Sequence, residues 1–264
     1  MRKTFSQSSL ARWGRRFLLA VLLCGQVVMH LLTGKIHRRN TFEQMAIVGP
    51  QSISINALTA AFVGMVFTIQ VAREFLNFGA ANAVGGVLAV ALVRELSPVL
   101  TAVILAGRVG SAFAAELGTM QVSEQIDALY ILKTDPIDYL VIPRVIACCV
   151  MMPILTLFSF VIGMTGGLLI ATNLYNIPQS IFLESARNFL GTGDLVNASI
   201  KGAIFGGLIA IVGCNWGLTT SGGAKGVGES TTTAVVTSLM SIFISNFFLS
   251  WVMFQGLGEA ALSF

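Results

Sequence analysis

An all-α, polytopic membrane protein is the fold class predicted here, and three observations predict it. Of the 264 residues 55% are hydrophobic and only 11% charged, where a soluble domain carries roughly 25% charge. The mean hydropathy is +0.82. Uncharged runs recur at or above the ~20 residues that a helix needs to cross a bilayer. They cover 17–34, 44–72, 75–93, 145–183, 202–224 and 230–258, and a further run from 96 to 115 is broken only by Arg108.

Joining 83–118 through Arg94, Glu95 and Arg108 gives five spans, at about 48–72, 83–118, 141–174, 198–220 and 232–257. The run at 17–34 stands apart. No small-residue cleavage site follows it, so it does not read as a signal peptide. As a sixth span it would place Lys35, Arg38 and Arg39 opposite Arg12, Arg15 and Arg16, against the positive-inside tendency. Gln26 and His30, four apart, mark one helical face as polar. An N-terminal in-plane, interfacial helix with basic flanks is expected. The domains are therefore 1–40, a basic segment with that helix, and 41–264, the five spans.

Charge sets the orientation. With the N-terminus cytoplasmic, the inner segments hold Arg2, Lys3, Arg12, Arg15, Arg16, Lys35, Arg38, Arg39, Lys133, Arg144 and Lys225, and the outer ones only Arg73, Arg187 and Lys201. The C-terminus is then expected outside, and the 119–140 and 221–231 loops inside. The net charge of +4 reflects this bias and acidic headgroups, not nucleic acid.

The second span carries two rows of small residues at four-residue spacing: Gly107, Ser111 and Ala115, and beside them Gly110, Ala114 and Gly118. Either row lets a helix approach backbone to backbone, within the chain or from another subunit. Gly202, Gly206, Ala210, Gly213 and Gly217 repeat the device in the fourth span. Charges in the second span are costly in hydrocarbon and must face protein or a wet cavity. Arg94 and Glu95 read as cavity lining, whereas Arg108 reads equally as a structural ion pair.

The following loop, QVSEQIDALYILKTDP, offers Ser123 as N-cap, Glu124, Gln125 and Asp127 in a first turn, and a stop before Asp135-Pro136. Ile126, Leu129 and Tyr130 form an apolar stripe at i, i+3, i+4. The acidic residues disfavour an anionic membrane surface. A helix that docks on a partner protein is expected.

At these residues the sequence resembles a known family. LVRELSPVLTAVILAGRVGSAFAAELGTMQVSEQIDALYIL at 92–132, GAKGVGESTTTAVV at 223–236 and PRVIACCVMMPILT at 143–156 closely resemble the MlaE/YrbE family, the permease subunits of MCE-associated (Mla-type) ABC lipid transporters. The similarity covers about residues 40–258 and is nearest in flavour to cyanobacterial and chloroplast members. It implies a homodimeric membrane core, two ABC ATPase subunits that bind ATP and Mg, an MCE-domain partner outside, a phospholipid-like cargo, and an inner-membrane location with a periplasmic C-terminus. This chain itself would hold no cofactor or metal and be no enzyme. Residues 119–133 would be the coupling helix, with Glu124, Gln125, Asp127, Ala128 and Leu129 facing the ATPase. Arg94 and Glu95 match the polar pair near the family's lipid pocket, and Phe75, Phe78 and Leu96 its apolar lining. Gly107, Arg108, Gly110, Ser111 and Gly118 would serve helix packing. Tyr130-Ile131 departs from the proteobacterial pattern.

Three rival signals are weaker. Gly223 to Ser230 keep the spacing of a phosphate-binding loop, but Glu229 stands where Lys should be, and no strand precedes it. A tight turn is expected there, with Ser230 or a neighbouring Thr capping the fifth span. GTGD at 191–194 imitates an intramembrane aspartyl protease but has no second intramembrane Asp, and Asp194 is expected to cap the fourth span. His30 and His37 lie near the N-terminus, and Cys24, Cys148, Cys149 and Cys214 sit in apolar runs as small core residues. The alternative functional reading is a proton-coupled secondary transporter of an amphipathic substrate, working through Glu95.

Overall fold

The computed structural model describes residues 38–253 together with 22, 23, 25–27 and 29. These six N-terminal positions are helical, but most of the expected in-plane helix lies outside the described residues. From Arg38 onward the order is α1 (Arg38–Val48), α2 (Pro50–Asn77), α3 (Val84–Ala91), α4 (Ser97–Leu105), α5 (Ser111–Val122), α6 (Gln125–Ile131), α7 (Ile142–Asn173), α8 (Gln179–Phe189), α9 (Thr192–Leu218) and α10 (Gly223–Trp251). A 3-10 turn at Ala81–Ala83 and π-helical turns at Leu92–Leu96, Ala106–Gly110 and Ile137–Val141 join several of these into longer rods.

Among the described residues, five rods are long and apolar enough to span a membrane: Arg38–Asn77, Ala81–Val122, Ile137–Asn173, Thr192–Leu218 and Gly223–Trp251. The protein is thus all-α and multi-pass, with the expected number of spans. The fourth begins earlier than hydropathy suggested, because its first turn holds Asp194.

The described residues fall into two compact units that share the rods: those up to 44, 106–147 and 207–239 in one, 45–105, 148–206 and 240–253 in the other. In the second unit, α2 buries Ser52, Asn56, Ala60, Gly64, Thr68 and Ala72, a row at strict four-residue spacing that forms one helical face. Small residues there let α2 touch α7 backbone to backbone. A Cβ added to Gly64 would lie 2.7 Å from the carbonyl carbon of Gly163, and one on Gly166 would lie 2.5 Å from Ala61 O. Asn56, fully buried, donates to Leu155 O (3.1 Å) and accepts from the Thr101 hydroxyl (3.2 Å), so its amide is satisfied where no water reaches.

Helix α8 was not anticipated from the sequence. It rests its Phe182, Ser185 and Ala186 side on α3: Ser185 Oγ accepts the Gly86 N–H at 3.0 Å, and Gly85 approaches the Phe182 backbone. Phe182 also joins Ala72, Val84, Leu88, Leu92, Ala171 and Ile177 in an apolar core.

In the first unit, the two glycine rows meet. A Cβ on Gly213 would lie 2.8 Å from Gly110 O, and one on Gly217 would lie 2.6 Å from Leu117 Cβ and 3.3 Å from Gly118 N. Nearby, Ala114, Val212, Trp216 and Ala234 form a small core. Cys214 here is buried, as is Cys148 in the second unit, where Cys149 is half-buried.

Two capping expectations are corrected. The fifth span does not wait for Ser230: Gly222 (φ 93°) and Gly223 (φ 67°) take the left-handed turn after α9, and helix starts at Gly223. Only glycine adopts such backbone freely. Ser230 is buried inside α10, while Thr231 and Thr233 donate to Gly228 O and Glu229 O three and four residues back, which is how a hydroxyl is satisfied within a helix. Likewise Ser123 does not cap α6. Its hydroxyl donates back to Thr119 O at 2.7 Å, and Glu124 (φ 61°) makes the reversal instead.

Candidate functional site

In the second unit four charges converge from two spans. The π-turn Leu92–Leu96, marked by the Ser97 N–H reaching back to Leu92 O, carries Arg94 and Glu95. Helix α9 supplies Asp194 and, two turns on, Lys201. Arg94 donates through Nε to Asp194 Oδ1 (2.8 Å) and through Nη2 to Oδ2 (3.4 Å). Lys201 Nζ donates to Glu95 Oε1, Ser250 Oγ and Arg94 O, each at 2.8 Å. The Glu95 carboxylate also accepts from Asn246 Nδ2 (2.8 Å) and the Ser250 hydroxyl (2.6 Å).

The cluster is formally neutral and unevenly exposed. The Asp194 and Lys201 side chains are 8% and 0% exposed, whereas Arg94 and Glu95 are 39% and 42% exposed. Each buried charge thus anchors a half-exposed one of opposite sign. Burial of ions is tolerable only with this degree of pairing and hydrogen bonding. The two outer members present a guanidinium and a carboxylate to whatever lies beside them.

Apolar surface adjoins this pair. Leu96 and Phe75 are half-buried against the core around Phe182, and Leu96 also lines a groove of about 280 Å³ with Phe62, Val63, Val66, Phe67 and Gln70. Phe78 stands outside that groove, just beyond the end of α2, and is 83% exposed. Lys201, counted from the sequence among the outer charges, lies within α9 and is fully buried. Asp194 is no N-cap but the third residue of α9. Its Oδ2 accepts the Gly191 N–H at 3.0 Å, as the third residue of a capping box does.

The first unit presents the loop helix. Helix α6 is shorter than the 119–133 expected, because Thr119–Val122 continue α5. Glu124, Gln125, Asp127 and Ala128 are exposed and Leu129 half-buried. Ile126 alone of the apolar stripe is buried, at 3% exposed, and Tyr130, Ile131 and Leu132 are 60%, 82% and 72% exposed. Behind this helix, Arg144 is buried, donates to Glu116 Oε2 (2.9 Å) and Leu140 O (2.8 Å), and stacks 5.4 Å from the Phe113 ring. That pairing joins the two spans that carry α6.

The packing residues divide. Gly110 and Gly118 meet α9 and the chain that follows it, with Ile209 Cγ2 3.2 Å and Thr220 Oγ1 3.0 Å from an added Cβ. Gly107 is exposed with nothing within 4 Å, and Ser111 beside it donates to Gly107 O. Arg108, half-buried, sits in the π-turn Ala106–Gly110.

Residues 41–252 match the family described as Permease MlaE. The chain belongs to the MlaE permease family. It is 64% identical over 257 residues to a protein of Synechocystis sp. named probable ABC transporter permease protein slr1045, with 97% of this chain and 98% of that one aligned. It is 53% identical to the Arabidopsis thaliana protein named TRIGALACTOSYLDIACYLGLYCEROL 1, chloroplastic, across 97% of this chain and 73% of that protein. A further relative in Pyropia yezoensis, named probable ABC transporter permease protein ycf63, is 49% identical across 96% and 97%. The expected nearness to cyanobacterial and chloroplast members is borne out. Within this permease, Asp194, Lys201, Asn246 and Ser250 are cluster members that sequence reasoning missed. For Lys201 the available signal was a charge inside the expected fourth span, 198–220.

Proposed function

We propose that this permease is the membrane-spanning subunit of an ABC transporter that moves phospholipid or a similar lipid between the inner membrane and an MCE-domain partner. ATP and Mg are bound, and ATP hydrolysed, by a separate subunit. The observation that carries the reading is the near end-to-end likeness to a protein named as an ABC transporter permease. The galactolipid in the name of the chloroplast relative favours a lipid cargo. Two copies pack together and enclose the lipid, with the exposed Gly107 and the half-buried Ser111 beside it taking part. Acyl chains lie along Phe75, Leu96 and the exposed Phe78, and the headgroup near Arg94 and Glu95. ATP binding draws the ATPase subunits together, and α6 moves with them through Glu124, Gln125, Asp127, Ala128 and Leu129. The N-terminus is cytoplasmic and the C-terminus periplasmic.

A proton-coupled carrier needs a carboxylate that exchanges protons readily. Glu95 is instead engaged by Lys201, Ser250 and Asn246, three partners that a carrier cycle would have to release at each turnover. The test is lipid transfer in vesicles holding the assembled transporter, with ATP or a proton gradient supplied separately. Transfer that follows ATP and ignores the gradient supports the proposal. Transfer that follows the gradient without ATP overturns it.

A further inference from the structure

A fully buried lysine in a membrane-spanning helix needs a reason, and its three acceptors supply one. Two of them, Glu95 Oε1 and Ser250 Oγ, are side chains, but the third is the backbone carbonyl of Arg94. In an α-helix that carbonyl accepts the N–H four residues on. Here residue 98 is proline, which has no N–H and whose ring also crowds the preceding turn. The helix answers locally with the π-turn Leu92–Leu96, closed by Ser97 N–H on Leu92 O. In hydrocarbon, backbone carbonyls hold on to every donor within reach, and Lys201 Nζ donates to this one at 2.8 Å.

We propose that Lys201 is a positioning residue. Its ammonium replaces the donor that Pro98 lacks, pins the π-turn, and so fixes the directions in which Arg94 and Glu95 face. The extra residue of a π-turn rotates every side chain after it relative to those before it. With the turn pinned, Arg94 reaches Asp194 while Glu95 reaches Ser250 and Asn246. Pairing with Glu95 is then only part of what Lys201 does. The inference goes beyond the transport reading and does not depend on it, since it concerns the backbone of one turn.

The two roles separate by variants of the full chain in detergent, read by amide hydrogen exchange at Leu96, Ser97 and Val99. Lys201→Met combined with Glu95→Gln removes both charges and leaves the side-chain pair neutral. If Lys201 pins the turn, exchange there rises at least about tenfold, the worth of an ordinary hydrogen bond to a charged group, while Glu95→Gln alone leaves it within about threefold. Adding Pro98→Ala to the double variant returns an N–H to Arg94 O and brings exchange back toward the parent. Unchanged exchange in the double variant, or no recovery with Pro98→Ala, overturns the proposal. Should the double variant fail to fold, the triple variant decides: recovery of a folded chain supports the pinning role, and continued misfolding refutes it.

Discussion

Replacing Gly64 by Ala tests the backbone contact on which α2 and α7 are built. The added Cβ would sit 2.7 Å from the carbonyl carbon and 2.9 Å from the Cα of Gly163. These are main-chain atoms, so no rotamer relieves the clash and the helices must part. Overpacking costs about 1–3 kcal/mol, and an immovable backbone places this site near the top of that range. Against it stands a helix-propensity gain of about 1 kcal/mol for Ala over Gly. The net is a loss of roughly 2 kcal/mol, or a fall in Tm of about 4–8 °C for a chain of this size. Gly107→Ala is the matched control: nothing lies within 4 Å of its added Cβ, so only the propensity gain remains, about 0 to +4 °C. Thermal unfolding in detergent, followed by reaction of a thiol dye with the buried Cys148 and Cys214, compares the two. A Gly64 variant as stable as the parent, or a Gly107 variant that loses stability in the monomer, would refute this packing.

Three further outcomes are expected. Glu116→Gln should destabilise more than Arg144→Met, by about 3 kcal/mol against 1–2, because the first strands a buried guanidinium whereas the second leaves a half-exposed carboxylate; equal Tm values would contradict the assigned burial. Glu124→Lys with Asp127→Lys should leave the chain folded, since both side chains are exposed, yet abolish lipid-stimulated ATPase activity in the assembled transporter; normal stimulation would remove α6 from the coupling role. Leu96→Trp should fill much of the groove beside Phe62, Val66 and Gln70 and lower the lipid recovered per purified chain at least twofold, with undiminished lipid placing the acyl chains elsewhere.

The spans were legible because the apolar runs exceed bilayer thickness, a property of the local sequence. The meeting of Gly110 and Gly118 with α9 was legible as spacing, though not which row would stay open at Gly107. The polar row of α2 was overlooked because Ser52, Asn56 and Thr68 interrupt its small apolar residues, yet its four-residue period was present. Helix α8 was missed because it is short and amphipathic between two long runs, where hydropathy averages it away. The partnership of Glu95 with Lys201 spans 106 residues and depends on how two spans are rotated, which no local pattern encodes. Capping failed at Ser123 and Ser230 because positive-φ residues, Glu124 in one case and Gly222 and Gly223 in the other, had already made both reversals.

Affinity purification of the full chain in mild detergent, with mass spectrometry of the proteins and lipids that accompany it, tests the central claim most directly. The account predicts an ABC ATPase and an MCE-domain protein in the complex, with bound diacyl lipid. A chain recovered without an ATPase, even after crosslinking through cysteines placed between 124 and 130, would contradict it.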